Sequence, residues 1–126
     1  METSNVLLVE DSPVNALVAR TFLEKWNARI DLAETGTEAI EKIKKSGYHI
    51  VLMDLHMPGM NGYEACEKIL QIKPNLPVVA LTASAMLDVK DMVFRVGMTD
   101  YITKPFEPNE LYEKIRKNRL PLNDPL

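Results

Sequence analysis

Val6-Leu7-Leu8-Val9-Glu10-Asp11 decides how the rest of the chain is read. Four consecutive apolar residues, with no polar alternation, stop at two carboxylates. A run of this kind suits a strand buried on both faces, as in a parallel sheet. The pattern recurs down the chain. Ile50-Val51-Leu52-Met53 ends in Asp54, Val78-Val79-Ala80-Leu81 ends in Thr82, and Tyr101-Ile102-Thr103 ends in Lys104. Arg29-Ile30-Asp31-Leu32-Ala33 alternates instead, which predicts a less covered strand.

The segments between these runs carry helical spacing. Val14, Leu17, Val18 and Phe22 fall at i, i+3, i+4 and i+8 and predict the buried face of a first helix. Ser12 is placed to cap it and Pro13 suits its first turn, where a missing N–H costs nothing. Ala39, Ile40 and Ile43 mark a second helix, capped by Thr35 or Thr37 and stopped near Gly47. Cys66, Ile69 and Leu70 mark a third, between Gly62 and Pro74. Met86, Val89, Met92, Val93 and Val96 mark a fourth, stopped by Gly97. Leu111 and Ile115 mark a fifth, from about Pro108 to Lys117. Asn118 to Leu126 reads as a loose tail, and the basic Arg116-Lys117-Asn118-Arg119 as a solvated helix end.

Five strand–helix units in one chain predict an α/β fold, (βα)5, with a doubly wound parallel sheet and helices on both faces. The expected strand order is 2-1-3-4-5, the flavodoxin-like order, with ligands bound beyond the carboxyl ends of the strands. The 126 residues suit one domain, with a core at about 5–117 and a tail at 118–126. Hydrophobic residues at 46% and charged residues at 26% are ordinary for a globular chain. A net charge of −3 gives no general pull on nucleic acid. Cys66 is the single cysteine, so there is no internal disulfide or cysteine metal cluster, and it reads as a small core residue. No apolar run approaches the ~20 residues that span a bilayer, and the polar start is unlike a signal peptide.

The strand ends carry the chemistry. In the expected fold Glu10, Asp11, Asp54, Thr82 and Lys104 converge on one shallow site. Carboxylates within ~4 Å of one another repel by about 4 kcal/mol per pair at an effective dielectric near 20, so the cluster calls for a cation. Oxygen donors without thiolates suit a hard ion, Mg²⁺. His56 follows Asp54 closely and reads as a partly exposed loop histidine, or else as a ring that gates an attacking water or meets a partner, while His49 reads as a surface residue. The methionines Met53, Met57, Met60, Met86, Met92 and Met98 read as fillers of core and loop gaps. Trp26 is expected to close the end of the first helix.

The chain also resembles a response-regulator receiver domain of two-component signalling. The resemblance rests on Leu8-Val9-Glu10-Asp11-Ser12-Pro13-Val14-Asn15, on Leu52 through Glu64 around Asp54, on Val79-Ala80-Leu81-Thr82-Ala83, and on Gly97 through Phe106 around Lys104. It implies that Asp54 accepts a phosphoryl group from a partner phosphohistidine. Glu10, Asp11, Asp54 and the His56 backbone carbonyl would hold Mg²⁺. Lys104 and Thr82 would contact the phosphoryl oxygens, Tyr101 would be the switch aromatic, and Lys104–Pro105 would be cis. The readout surface would span the fourth helix, fifth strand and fifth helix, roughly Ala85 to Lys117. Ser84, a small neighbour of Thr82, would leave the site open.

The phrases look most like receivers attached to hybrid sensor histidine kinases. The implied partners are a histidine kinase or a histidine-containing phosphotransfer protein, with no nucleic acid or membrane contact by this chain. The implied location is cytoplasmic, and the implied state a monomer or weak phosphorylation-dependent dimer. Output would come through another protein, or from a longer chain of which this is a piece. A haloacid dehalogenase-type phosphohydrolase shares the Asp, Mg²⁺, Thr and Lys, but its second Asp would stand where this chain has His56. A flavodoxin-like cofactor binder is disfavoured by the two carboxylates after the first strand, and a receiver-like module that only binds partners is the remaining alternative.

Overall fold

The computed structural model describes residues 3–84, 86–122 and 126; Met1, Glu2, Ala85 and 123–125 lie outside the described residues. The strands are β1 (Asn5–Val9), β2 (Arg29–Ala33), β3 (Ile50–Asp54), β4 (Val78–Thr82) and β5 (Asp100–Thr103). They form one parallel sheet in the order β2-β1-β3-β4-β5. The helices are α1 (Pro13–Lys25), α2 (Gly36–Lys45), α3 (Gly62–Ile72), α4 (Leu87–Arg95) and α5 (Pro108–Asn118). The (βα)5 expectation and its strand order are therefore met.

The unbroken apolar runs behave as their composition requires. Every residue of β3 and β4 is buried, whereas the alternating β2 at the sheet edge buries only Ala33 fully. Successive side chains along a strand point to opposite faces. Leu7, Val9, Val51, Met53, Val78 and Ala80 thus join one core, with Ala39, Ile43, Ala65, Cys66 and Ile69 from α2 and α3. Val6, Leu8, Ile50, Leu52, Val79, Leu81 and Ile102 join the other, with Ala16, Ala19 and Leu23 of α1 and Leu111 and Ile115 of α5. Each fully buried Leu or Ile contributes roughly 1.5–3 kcal/mol relative to exposure.

The caps follow the sequence. Ser12 accepts a hydrogen bond from the Asn15 N–H, Thr35 from Glu38, and Asn61 from Glu64. Trp26 caps the end of α1 and stacks on Tyr112 at 5.3 Å.

Four expectations need correction. The buried face of α1 is Ala16, Ala19 and Leu23, while Val14, Leu17 and Val18 are 70%, 65% and 37% exposed. This helix is apolar on both faces, and the alanine side wins because its short side chains let α1 lie close on the sheet. In α4 only Val93 is fully buried; Met86 and Met92 face solvent. His49 is 4% exposed, and its Nδ1 accepts the Asn5 N–H at 2.8 Å, tying β3 to β1. The start of the tail is fastened. The Leu120 N–H donates to the His49 carbonyl at 2.9 Å, and Arg119 donates to Ser4 and lies over Trp26. The remaining methionines differ among themselves: Met53, Met57 and Met98 are buried.

Candidate functional site

Backbone ladders run one residue past the strands and place the site. The Glu10 N–H donates to the Ala33 carbonyl at 3.0 Å, the Leu55 N–H to Leu81 at 3.2 Å, and the Lys104 N–H to Thr82 at 2.8 Å. Glu10, Asp54, Thr82 and Lys104 are thereby held at one end of the sheet. Asp54 closes β3 and Thr82 closes β4; they are 4% and 1% exposed. Gly62, the first residue of α3, lies directly beneath. A Cβ there would stand 2.3 Å from the Asp54 carbonyl oxygen, so only glycine lets α3 start this close. The Lys104–Pro105 peptide is cis.

Carboxylate oxygens of Glu10, Asp11 and Asp54 all lie within 4.8 Å of one another. Lys104 Nζ stands 2.8 Å from Glu10 Oε1 and 3.3 Å from Asp54 Oδ1. Asp54 Oδ1 also accepts the His56 N–H at 3.1 Å, and Glu10 Oε2 accepts the Ser12 N–H at 3.3 Å. Glu10 is 1% exposed, and burial, with the Asp54 carboxyl adding to it, pushes its acid up to about 7 against the pull of Lys104. Glu10 Oε1 is buried without a hydrogen bond of proper geometry, so Lys104 meets it only as an ion pair. An acidic pocket with an oxygen in this condition and an exposed third carboxylate, Asp11, fits a hard divalent cation.

The Thr82 hydroxyl is engaged within its own loop: it donates to the Ser84 carbonyl at 3.1 Å and accepts the Ser84 N–H at 3.0 Å. Ser84 therefore holds the hydroxyl in its own loop, a contact that its small side chain did not suggest. His56, expected to be partly exposed, is exposed.

The family model of the response regulator receiver domain matches residues 6–116. The chain belongs to this family.

Among curated relatives, the sensor protein GacS of Pseudomonas syringae pv. syringae is 38% identical over 117 residues. That match covers 89% of this chain but 13% of GacS, so the receiver corresponds to a small part of that sensor. The receiver domain of a sensor histidine kinase from Pseudomonas aeruginosa PAO1 superposes with a TM-score of 0.85 at 32% identity, covering 91% of this chain and 96% of that one. That structure holds a magnesium ion in its active site cleft. A co-crystal structure of the Saccharomyces cerevisiae histidine phosphotransfer protein Ypd1 with the receiver domain of its downstream response regulator Ssk1 also matches. Its TM-score is 0.86 at 33% identity, covering 92% of this chain and 88% of that one.

On the side of the receiver facing α4 and α5, Tyr101 is half-buried. Lys90 Nζ lies 5.0 Å and Lys114 Nζ 4.8 Å from its ring centroid, and Phe94 meets it edge-on at 6.4 Å. Its neighbour Asp100 is buried. It accepts from Lys114 Nζ at 2.8 Å, Asn118 Nδ2 at 3.0 Å and the Tyr101 N–H at 2.8 Å. Burial works to raise the Asp100 acid, but these hydrogen bonds outweigh it and hold the carboxyl below its ordinary value. Asn118 and Arg119 are thus structural contacts, and the basic end of α5 is not simply solvated. No helix among the described residues is long and apolar enough to cross a membrane.

Proposed function

We propose that this receiver is a phosphoacceptor switch that takes a phosphoryl group on Asp54 from a partner phosphohistidine. The observation that carries the reading is the juxtaposition of Glu10, Asp11 and Asp54 with Lys104 Nζ between two of them. Glu10, Asp11, Asp54 and the His56 carbonyl would hold Mg²⁺. Bound there, the ion would neutralise charge on the phosphoryl oxygens.

The chain's own groups do the rest. A carboxylate oxygen of Asp54 attacks phosphorus, a P–O bond forms, and the P–N bond to the leaving imidazole breaks. Such a transfer needs mainly positioning and charge stabilisation, which a small domain can supply. Lys104 exchanges its contact with Glu10 for the incoming oxygens. Thr82 leaves Ser84 to donate its hydroxyl to one of them, and Tyr101 moves into the space that Thr82 vacates. The acyl phosphate is later hydrolysed, which releases inorganic phosphate and resets the switch. Contacts made only in the phosphorylated form bias the surface of α4, β5 and α5.

Incubation with Mg²⁺ and a small phosphodonor, followed by intact mass, tests the reading. Wild type is expected to gain one phosphoryl group and Asp54→Asn none. Equal labelling of Asp54→Asn would place the acceptor elsewhere, and no labelling of wild type would end the switch reading.

The partner's seat is the exposed face of α1. Val14 and Leu17 lie on the helix that begins two residues after Asp11, and Leu17 lines one cavity with Glu10 and Asp11, so a donor that reaches Asp54 would cover them. The occupant we infer is a helical histidine-containing phosphotransfer protein. Leu17→Asp is expected to slow transfer from such a protein at least tenfold while leaving labelling by the small phosphodonor unchanged. Unchanged transfer would move the seat off α1.

A further inference from the structure

We propose that Lys90 and Lys114 are positioning residues that hold the Tyr101 ring in its resting place between α4 and α5, and so set how readily the receiver accepts an anion at Asp54. This rests on the reading of Tyr101 as the ring that moves with phosphorylation.

The geometry is specific. Two ammonium groups, from two different helices, approach one aromatic ring at 5.0 and 4.8 Å. An ammonium within about 6 Å of a ring centroid is attracted by the negative face of the π-system. Two cations brought to one ring also repel each other, so the arrangement needs compensation. Lys114 has it: Asp100, buried beside the ring on β5, binds its Nζ at 2.8 Å. Lys90 makes no ion pair among the described residues, and its ammonium lies over the Tyr101 ring. All three side chains are half-buried, which limits the hydration that competes with such contacts. Phe94 meets the ring edge-on from the same helix as Lys90.

The thermodynamic consequence is a linkage. If an anion at Asp54 favours the ring in its other place, any contact that favours the resting place weakens anion binding, by up to the factor by which it stabilises that place. Removing the Lys90 contact therefore tightens it. Simple electrostatics predicts the opposite, since losing a positive charge weakens the hold on an anion. The sign separates the two accounts.

The variants are Lys90→Met, which keeps an unbranched stem without the charge, and Lys90→Arg, which keeps a cation. Lys90 is preferred over Lys114, whose loss would leave Asp100 buried without its ion pair. Beryllofluoride with Mg²⁺ serves as the phosphoryl probe. Lys90→Met is expected to lower its Kd about two- to five-fold, the range for one such contact, and Lys90→Arg to restore the wild-type value. In a Tyr101→Leu background the Lys90→Met effect should vanish. Fluorotyrosine labelling, with the Tyr101 signal assigned by Tyr101→Phe, reads the ring without any anion present. Lys90→Met should displace or broaden that signal.

An unchanged or raised Kd for Lys90→Met, or an effect that persists without Tyr101, overturns the proposal. If wild type binds no beryllofluoride, the phosphoacceptor reading fails, and the anion-free fluorine signal still decides whether Lys90 positions the ring.

Discussion

Lys104→Met is expected to reduce phosphoryl uptake at least a hundredfold and to destabilise the domain by about 3 kcal/mol when divalent cations are chelated. The two effects have separate origins. In the resting structure Lys104 Nζ is the positive group between Glu10 and Asp54, whose side chains are 1% and 5% exposed. Removing one partner from a buried ion pair typically costs about 3–5 kcal/mol, because the remaining charge is neither hydrated nor paired. The lower end applies here. Lys104 is itself 17% exposed, and Glu10, pushed up to about 7, can take a proton instead of staying charged near neutral pH. Uptake falls for a different reason. The transition state spreads charge over the phosphoryl oxygens, and one lost donor at such a place costs about a hundred- to a thousand-fold. Urea unfolding in chelator checks the first effect and intact mass after phosphodonor treatment the second. Added Mg²⁺ should recover most of the stability and little of the uptake. An unchanged unfolding midpoint would mean that Lys104 does not compensate the carboxylates.

Gly62→Ala is expected to destabilise the domain by about 3 kcal/mol and to lower uptake about tenfold, although it adds only one uncharged methyl group. The new Cβ would stand 2.3 Å from the Asp54 carbonyl oxygen and 2.9 Å from Leu55 Cα. Both are backbone atoms of the segment that carries the acceptor, so no side chain can turn aside. Overpacking generally costs about 1–3 kcal/mol, and a clash against backbone belongs at the upper end. Relief requires α3 to move away, which breaks the Gly62 N–H bond to the Leu55 carbonyl and shifts Asp54. Gly59 is the matched control. Its φ is +77° with nothing within 4 Å of a Cβ, so Gly59→Ala meets only the left-handed backbone penalty of about 1–2 kcal/mol. Parallel urea melts of the two variants check the difference. Equal destabilisation would mean that the close approach under Asp54 is not what demands Gly62.

The strand ends show how much a linear reading can recover. A strand buried on both faces must be apolar throughout, so its end is marked by the first polar residue. The arithmetic of parallel connections then puts all such ends on one side of the sheet. Glu10, Asp54 and Thr82 were legible for that reason, and Lys104 as the residue that follows the half-buried β5; the ladder bonds at Glu10, Leu55 and Lys104 are the physical form of it. Asp11, exposed at the rim, was legible only as the neighbour of Glu10. The contacts among these residues were not legible. Nothing in the order of residues says that Ser84 captures the Thr82 hydroxyl, or that Lys104 sits nearer Glu10 than Asp54.

The helices show where periodicity stops deciding. In α5 one stripe is apolar, and Leu111 and Ile115 are buried as their spacing demands. In α1 two stripes are apolar, and spacing alone favours the larger side chains. The sheet selects Ala16, Ala19 and Leu23, because a helix lies closest where its side chains are short. Val14, Leu17 and Val18 are left outside. His49 and Leu120 failed in the same way, since their burial depends on β1 and on the end of α5, both distant in sequence.

The sequence by itself determined the fold class and the residues that end the strands, because hydrophobic burial imposes its pattern locally, residue by residue; the strand order 2-1-3-4-5 was expected as the common one for this class and is met. Only the tertiary structure decided which face of α1 stays exposed, that Gly62 touches the acceptor's backbone, and that two lysines from separate helices meet on the Tyr101 ring. Those are distances between elements far apart along the chain, and they exist only once packing has fixed how close the elements come.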